Sequence, residues 1–312
     1  MKKRRHHYVW RNYLRSWSDN EQIWCVRNKK VFPTNLMNIG QERDFYRLNE
    51  LTKKEVSFLT LLLNQHSSEA IQKLNHGWME LFTAVFQIRE QVNKHELSDG
   101  AFEAEIEKQI INLGEDFHCK IEEGAIKFLD GLLDNGTNFL ADEDNAIEFI
   151  YYLCVQYFRT KNIKESAASS VSELDLLDVD KAWNILSHTF STALAWSIYA
   201  ERSQWSSVIL ENHTSFPFLT SDQPIINTYA AFGKQVKDHD ELEFYYPLSP
   251  EKALLLTKKA EYKDMPSKFL NELEASGYND IMINMSHEQI YSFQKEQLEM
   301  YVQKYNKMLN RD

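Results

Sequence analysis

Six polar residues stand in otherwise apolar or aromatic surroundings, and their types suggest chemistry: His6, His7, Gln156, Arg159, Ser221 and Asp222. A polar side chain that a fold buries must find a hydrogen-bond or ionic partner. The economical arrangement lets the six answer one another in one pocket. There a histidine and an aspartate act on a water as base and orienter, or His6, His7 and Asp222 hold a divalent metal such as magnesium or manganese. Arg159 then binds a phosphate or stabilises developing negative charge. With His7, Gln156, Arg159, Ser221 and Asp222 as catalytic residues, the set describes hydrolysis of a phosphodiester. Plainer readings exist beside this one. Arg159 serves equally in a structural Arg–carboxylate clamp, and Asp222 stabilises a turn ahead of Pro224 through its own side chain. Ser221 lacks the G-x-S-x-G elbow of a nucleophile.

The elements that must position these residues follow from periodicity. His6 to Trp17 packs two imidazoles, four aromatic rings and two arginines into twelve residues behind Lys2-Lys3-Arg4-Arg5. Rings of that size need burial, so this segment is expected to thread into the fold rather than fray. Gln22 to Arg27 alternates, Asn28-Lys29-Lys30 turns, and Val31-Phe32 resumes, which reads as a hairpin. From Thr52 to Arg202 the spacing is helical. A capping box, Thr52-Lys53-Lys54-Glu55, opens it. Further helices are expected over 69–94, 102–112, 116–133, 142–160 and 180–202. Gly114, Asn135-Gly136 and the serine-rich tract 166–172 punctuate them, the last as a mobile connection; His76-Gly77-Trp78 reads as a helix junction. Gln156 and Arg159, three apart, share a helical face. Strands are expected over 205–210, 216–220, 243–248 and 252–257. A terminal helix over 284–309 would carry Ile290, Phe293, Leu298 and Val302 on its apolar face. The whole reads as α+β, mostly α. A small mixed or antiparallel sheet from the N- and C-terminal segments joins a central helical region. One composite domain is expected over 1–312, with a strand and hairpin segment (1–50), a helical region (51–203), and a sheet plus C-terminal helix (204–312).

Composition narrows the function classes. The 312 residues are 43% hydrophobic and 13% aromatic, enough for a large core, and 9 Gly with 6 Pro argue against a disordered chain. A net charge of −11 is the wrong sign for a protein that coats duplexes, so nucleic acid would be met through a local patch. Lys2 to Arg5 is such a patch, or a solvated start of the chain. Cys25, Cys119 and Cys154 have no C-x-x-C spacing and read as packing residues in a reducing compartment. No run of about 18 apolar residues and no leader-like segment are present, so no membrane partner and a cytoplasmic location are expected. Walker, dinucleotide-binding, zinc-finger and H-E-x-x-H patterns are missing. His66, His76, His95, His118 and His188 are set aside as helical histidines without a ligand-type partner at i+4.

Several stretches together resemble a known family. They are His7-Tyr8-Val9, Tyr13-Leu14 and Trp17; Asn38-Ile39 and Asp44-Phe45-Tyr46; Gln156-x-x-Arg159-Thr160; Thr220-Ser221-Asp222-Gln223-Pro224; and Pro247-Leu248-Ser249-Pro250. The pattern is similar to that of bacterial proteins of domain-of-unknown-function family 4238, with Trp10 where the family usually has proline and Gln223 where it has asparagine. Glu69 falls where the family tends to place a helical glutamate. Similar family members look like parts of anti-phage defence loci, where nucleases are common effectors. The resemblance therefore implies a defence effector acting on nucleic acid or a nucleotide. The alternative is a non-catalytic sensor that recognises a nucleotide or a phage protein and acts through a partner or by oligomerisation.

Overall fold

The computed structural model describes residues 1–134, 136–171, 176–232 and 242–309. In chain order the elements are β1 (Arg5–His7), α1 (Arg11–Leu14), β2 (Gln22–Arg27), β3 (Lys30–Asn35), β4 (Gln41–Arg43), α2 (Lys53–Leu63), α3 (Glu69–Lys94), α4 (Gly100–Asp134), α5 (Glu143–Phe158), α6 (Lys161–Val171) and α7 (Val179–Ala200). They continue as β5 (Ser206–Glu211), β6 (Thr220–Ser221), β7 (Ile226–Asn227), β8 (Phe244–Pro247), β9 (Lys252–Thr257), β10 (Ser267–Phe269), α8 (Glu272–Met285), β11 (Gln289–Ser292) and α9 (Lys295–Leu309). The fold is α+β and mostly α, as the periodicity predicts. Contacts divide the chain into two compact units: Met1–Tyr8, Gln41–Ala125 and Ile147–Ala200 form the first, and Val9–Gly40, Ile126–Ala146 and Glu201–Asp312 the second.

The first unit is helical, with α3 and α6 packed on α7 and a two-stranded antiparallel ribbon, β1 on β4. The capping box on α2 is formed: Thr52 Oγ1 accepts from the Glu55 amide, and the Glu55 carboxylate accepts from the Thr52 amide at 2.7 Å. Gly114 does not break α4, which runs through it as one helix where two were expected. A Cβ at 114 would lie 2.8 Å from Cβ and the carbonyl oxygen of Tyr46 and 2.9 Å from Asn184 Oδ1. The glycine therefore permits close approach, and tertiary packing offsets its helix-propensity cost of about 1 kcal/mol. His76-Gly77 likewise sits inside an unbroken α3. The serine tract, expected to be a mobile connection, is helical through Val171. Ser169 and Ser170 donate their hydroxyls to carbonyls one turn back. Ser172 and Asn135 lie outside the described residues.

The second unit holds two sheets. Asn28 and Lys29, with φ of 51° and 60°, make the two-residue turn that hairpin twist favours, and so set the β2–β3 register. These N-terminal strands pair with C-terminal ones in an antiparallel sheet of order β3-β2-β11-β6, the assembly from distant segments that was expected. A mixed sheet of order β10-β5-β9-β8-β7 contributes Val208, Leu210, Tyr245, Ala253 and Leu255 to one buried cluster. The expected terminal helix over 284–309 is divided. Helix α8 ends at Met285, Ile290 lies in β11 opposite Val26 and Ser221, and α9 starts at Lys295. Ladder partners on both sides of β11 outweigh the helical spacing of its apolar residues.

Candidate functional site

Strand β1 brings two histidines into the first unit in different ways. His6 is buried, and both ring nitrogens are taken by main chain. Nδ1 accepts from the Tyr46 amide at 2.8 Å, which leaves Nε2 protonated to donate to the Lys3 carbonyl at 2.7 Å. Burial lowers its pKa. His7 acts through its peptide groups: its N–H donates to Glu115 Oε1 at 3.3 Å, and its carbonyl accepts from Arg159 Nη2.

Arg159, just past α5, is 1% exposed. Its Nε donates to the Tyr46 hydroxyl at 2.9 Å, Nη1 to Glu122 Oε1, and Nη2 to His7. Gln156, one turn earlier, is buried, and its Nε2 has no hydrogen-bond partner among the described residues. Opposite charge comes from α4, where Glu115, His118 and Glu122 follow one another at i, i+3 and i+7 and so share a face. The His118 ring sits 4.3 Å from that of Tyr46 and 5.1 Å from that of His188 on α7. Neither His118 nitrogen has a partner among the described residues. His118 does have a carboxylate four residues on, contrary to the sequence reading that set it aside. The signal was Glu-x-x-His-x-x-x-Glu, of which a break at Gly114 removes only Glu115.

Electrostatics set the protonation states. Burial pushes the Glu115 carboxyl up to about 7, against the pull of Arg159 and of the His7 N–H. Burial also raises Glu122, which Arg159 opposes. Desolvation works against the Arg159 charge, but Tyr46, Glu122 and Glu115 more than compensate and hold it ionised. Burial and then Arg159 push His118 well down and His188 down to about 3, so both imidazoles are neutral at pH 7. The result is a fixed guanidinium beside a carboxyl that exchanges its proton near neutrality, a combination suited to general acid–base work.

An aromatic-walled groove of about 290 Å³ lies in the same unit, lined by Ile71, Trp78, Ile147, Tyr151 and Trp196 among others. Tyr151 links it to the polar centre, because its hydroxyl and His188 Nδ1 are 3.0 Å apart. Trp78 stacks on His188 at 4.9 Å.

Ser221 and Asp222 belong to the second unit. Asp222 Oδ1 accepts from the His287 amide at 2.9 Å, and Oδ2 from the Glu288 and Gln289 amides at 2.7 and 2.9 Å. Burial raises this carboxyl's pKa, and the backbone donors pull it back. Ser221 Oγ accepts from the Gln223 amide at 3.1 Å and lies 3.2 Å from Met282 Sδ. From Val9 onward the aromatic N-terminal segment belongs to this unit, where Tyr13 and Trp17 are buried. Tyr13 bonds Thr220 Oγ1 at 2.6 Å, and Trp17 Nε1 donates to the Phe218 carbonyl. Of the predicted residues, His6, His7, Gln156 and Arg159 thus fall in one unit, and Ser221 and Asp222 in the other.

Among the described residues no group of three or more His, Cys, Asp or Glu side chains is placed to hold a metal ion. No described helix is long and apolar enough to cross a membrane. A family model described as "Protein of unknown function (DUF4238)" matches residues 5–296. No curated protein and no solved structure matches the chain.

Proposed function

We propose, for a chain that belongs to the DUF4238 family of unknown function, a hydrolase-type defence effector acting on nucleic acid or a nucleotide through its first unit. The observation that carries this reading is Glu115, a buried carboxyl with Oε2 unpartnered among the described residues and a pKa near 7, held beside Arg159. As a base it takes a proton from an attacking water. As an acid it returns one to the leaving oxygen. Arg159 keeps N–H donors beyond the three it uses, and they offer a phosphate oxygen a charged partner. The His7 peptide and Tyr46 fix the guanidinium, and Gln156 in the last turn of α5 supplies an Nε2 donor without a partner among the described residues. The aromatic groove favours a second reading, a nucleotide sensor without turnover, because Trp78, Tyr151 and Trp196 line it with rings of the kind on which bases stack.

Phage plating on cells expressing wild type and Glu115→Gln at matched, folded levels tests the first reading. Wild type should protect, and the variant should lose at least about 100-fold of that protection, the scale of a lost general acid–base group. A variant as protective as wild type removes Glu115 from the chemistry. Retained nucleotide binding with no turnover by purified wild type favours the sensor.

A further inference from the structure

The β1–β4 ribbon carries an electrostatic arrangement that the fold alone does not explain. Arg5 and Arg43 are directly opposite in the antiparallel register, and both are exposed, Arg43 with 75% of its side chain in solvent. Like charges facing each other across strands destabilise a sheet, and this one is only two strands wide. Three further cations crowd the same end: Lys2, Lys3 and Arg4. Asp116 answers Lys3 at 2.6 Å, and a single carboxylate, Asp44, answers Arg4 at 2.7 Å while lying 3.7 Å from Arg43. Glu107 feels the charges of Lys2 and Arg4, whereas Arg5 has no ion-paired acid among the described residues. This concentration of positive charge sits on a chain whose net charge is −11.

Strand geometry aims these charges outward. His6 is buried, so Arg5 and His7, its neighbours in β1, point to the opposite face, together with their register partners Arg43 and Gln41. The same peptide that displays the cations closes the acid–base centre: the His7 N–H and C=O occupy Glu115 and Arg159.

We infer that the outer face of the β1–β4 ribbon binds the phosphodiester backbone of single-stranded nucleic acid, with Arg5 and Arg43 as its central contacts and Lys2 at its rim. A phosphate seated between the two arginines turns their repulsion into shared attraction. The choice of polyanion rests on the nucleic-acid reading proposed above. The site adds to that reading a way to deliver substrate next to Glu115 and Arg159.

The test is fluorescence anisotropy of purified full-length protein with a labelled single-stranded RNA of about 20 nucleotides, across a salt series. Arg5→Gln/Arg43→Gln is compared with wild type and with Lys29→Gln/Lys30→Gln, which removes the same charge from the β2–β3 hairpin. The ribbon variant should bind about tenfold or more weakly at low salt, and its salt slope should fall by about 1.4, two contacts at single-strand values. The control should bind as wild type does. The ribbon variant should melt no lower than wild type, because it loses a repulsion. Equal losses in both variants, unchanged binding in the ribbon variant, or no binding by wild type would each overturn the inference. The readout needs no turnover, so failure of the Glu115 assignment leaves it standing, and its own failure leaves that assignment standing.

Discussion

Arg159 and Asp222 are both ionisable groups taken almost entirely out of water, one in each unit. Asp222 is answered by three consecutive backbone amides, which cannot titrate and move only if the chain between α8 and β11 moves. Arg159 is answered by a carboxylate, a phenol and one carbonyl of a terminal strand, with a second carboxyl, Glu115, raised by burial to about 7 alongside. Backbone donors make a charge part of the architecture. Titratable side chains leave it in a cluster whose proton count changes within the physiological range. A buried polar residue in an apolar segment does not reveal which of these it is. The chemistry of its partners does.

The largest effect should come from unbalancing the side-chain cluster. Arg159→Met leaves Glu122 buried without its counter-ion and should cost about 3–5 kcal/mol in urea unfolding, and adding Glu122→Leu should recover most of it. A single variant that loses less than about 1 kcal/mol would mean the pair is not a buried charge couple.

Next comes pH. The folded Glu115 pKa is raised from 4.5 to about 7, so the folded state holds this proton more tightly than the unfolded chain. Its stabilising contribution is present below pH 4.5 and is lost as pH rises through 7, a change on the order of 3 kcal/mol. Glu115→Gln does not titrate, so its stability relative to wild type should climb across that window. His118 and His188 slope the opposite way in both proteins and cancel in the difference. Parallel stability–pH curves for the two proteins would refute the shifted carboxyl.

The smallest effect should be at the backbone-answered site. Asp222→Asn keeps one acceptor oxygen but turns the other position into a donor facing an amide, and should cost about 2 kcal/mol by urea unfolding. Its protection against phage per folded molecule should equal that of wild type. Lost protection at full folding would move the chemistry to the second unit and break the contrast between Asp222 and Arg159.

Much of the fold was legible from local patterns. The capping box at Thr52, the strand over 252–257 and a turn within Asn28-Lys29-Lys30, which the structure closes in two residues with Lys30 already in β3, each follow from a few adjacent residues. What was not legible depends on partners far away in sequence. Ile290 has helical spacing with its neighbours, but β2 and β6 claim its backbone. Gly114 looks like a stop until Tyr46 and Asn184 are seen against it. Among the candidate residues, the need of Arg159 for an anion was readable, but the identity of that anion was not. Glu115 falls outside the expected helices 102–112 and 116–133 and joins the face of His118 and Glu122 only because α4 is continuous; the His118–Glu122 pair itself was readable at i, i+4.

Gly114 also bears on the order in which the chain folds. A glycine in the interior of α4 weakens that helix where it should be firmest, and only the docking of Tyr46 and Asn184 restores it. Residues 46, 114 and 184 must meet across long stretches of sequence, a non-local contact that is slow to form. The expectation is that α4 does not persist as an early, self-sufficient helix. It should gain protection from hydrogen exchange in step with the segment carrying Tyr46, as one late-assembling cooperative unit.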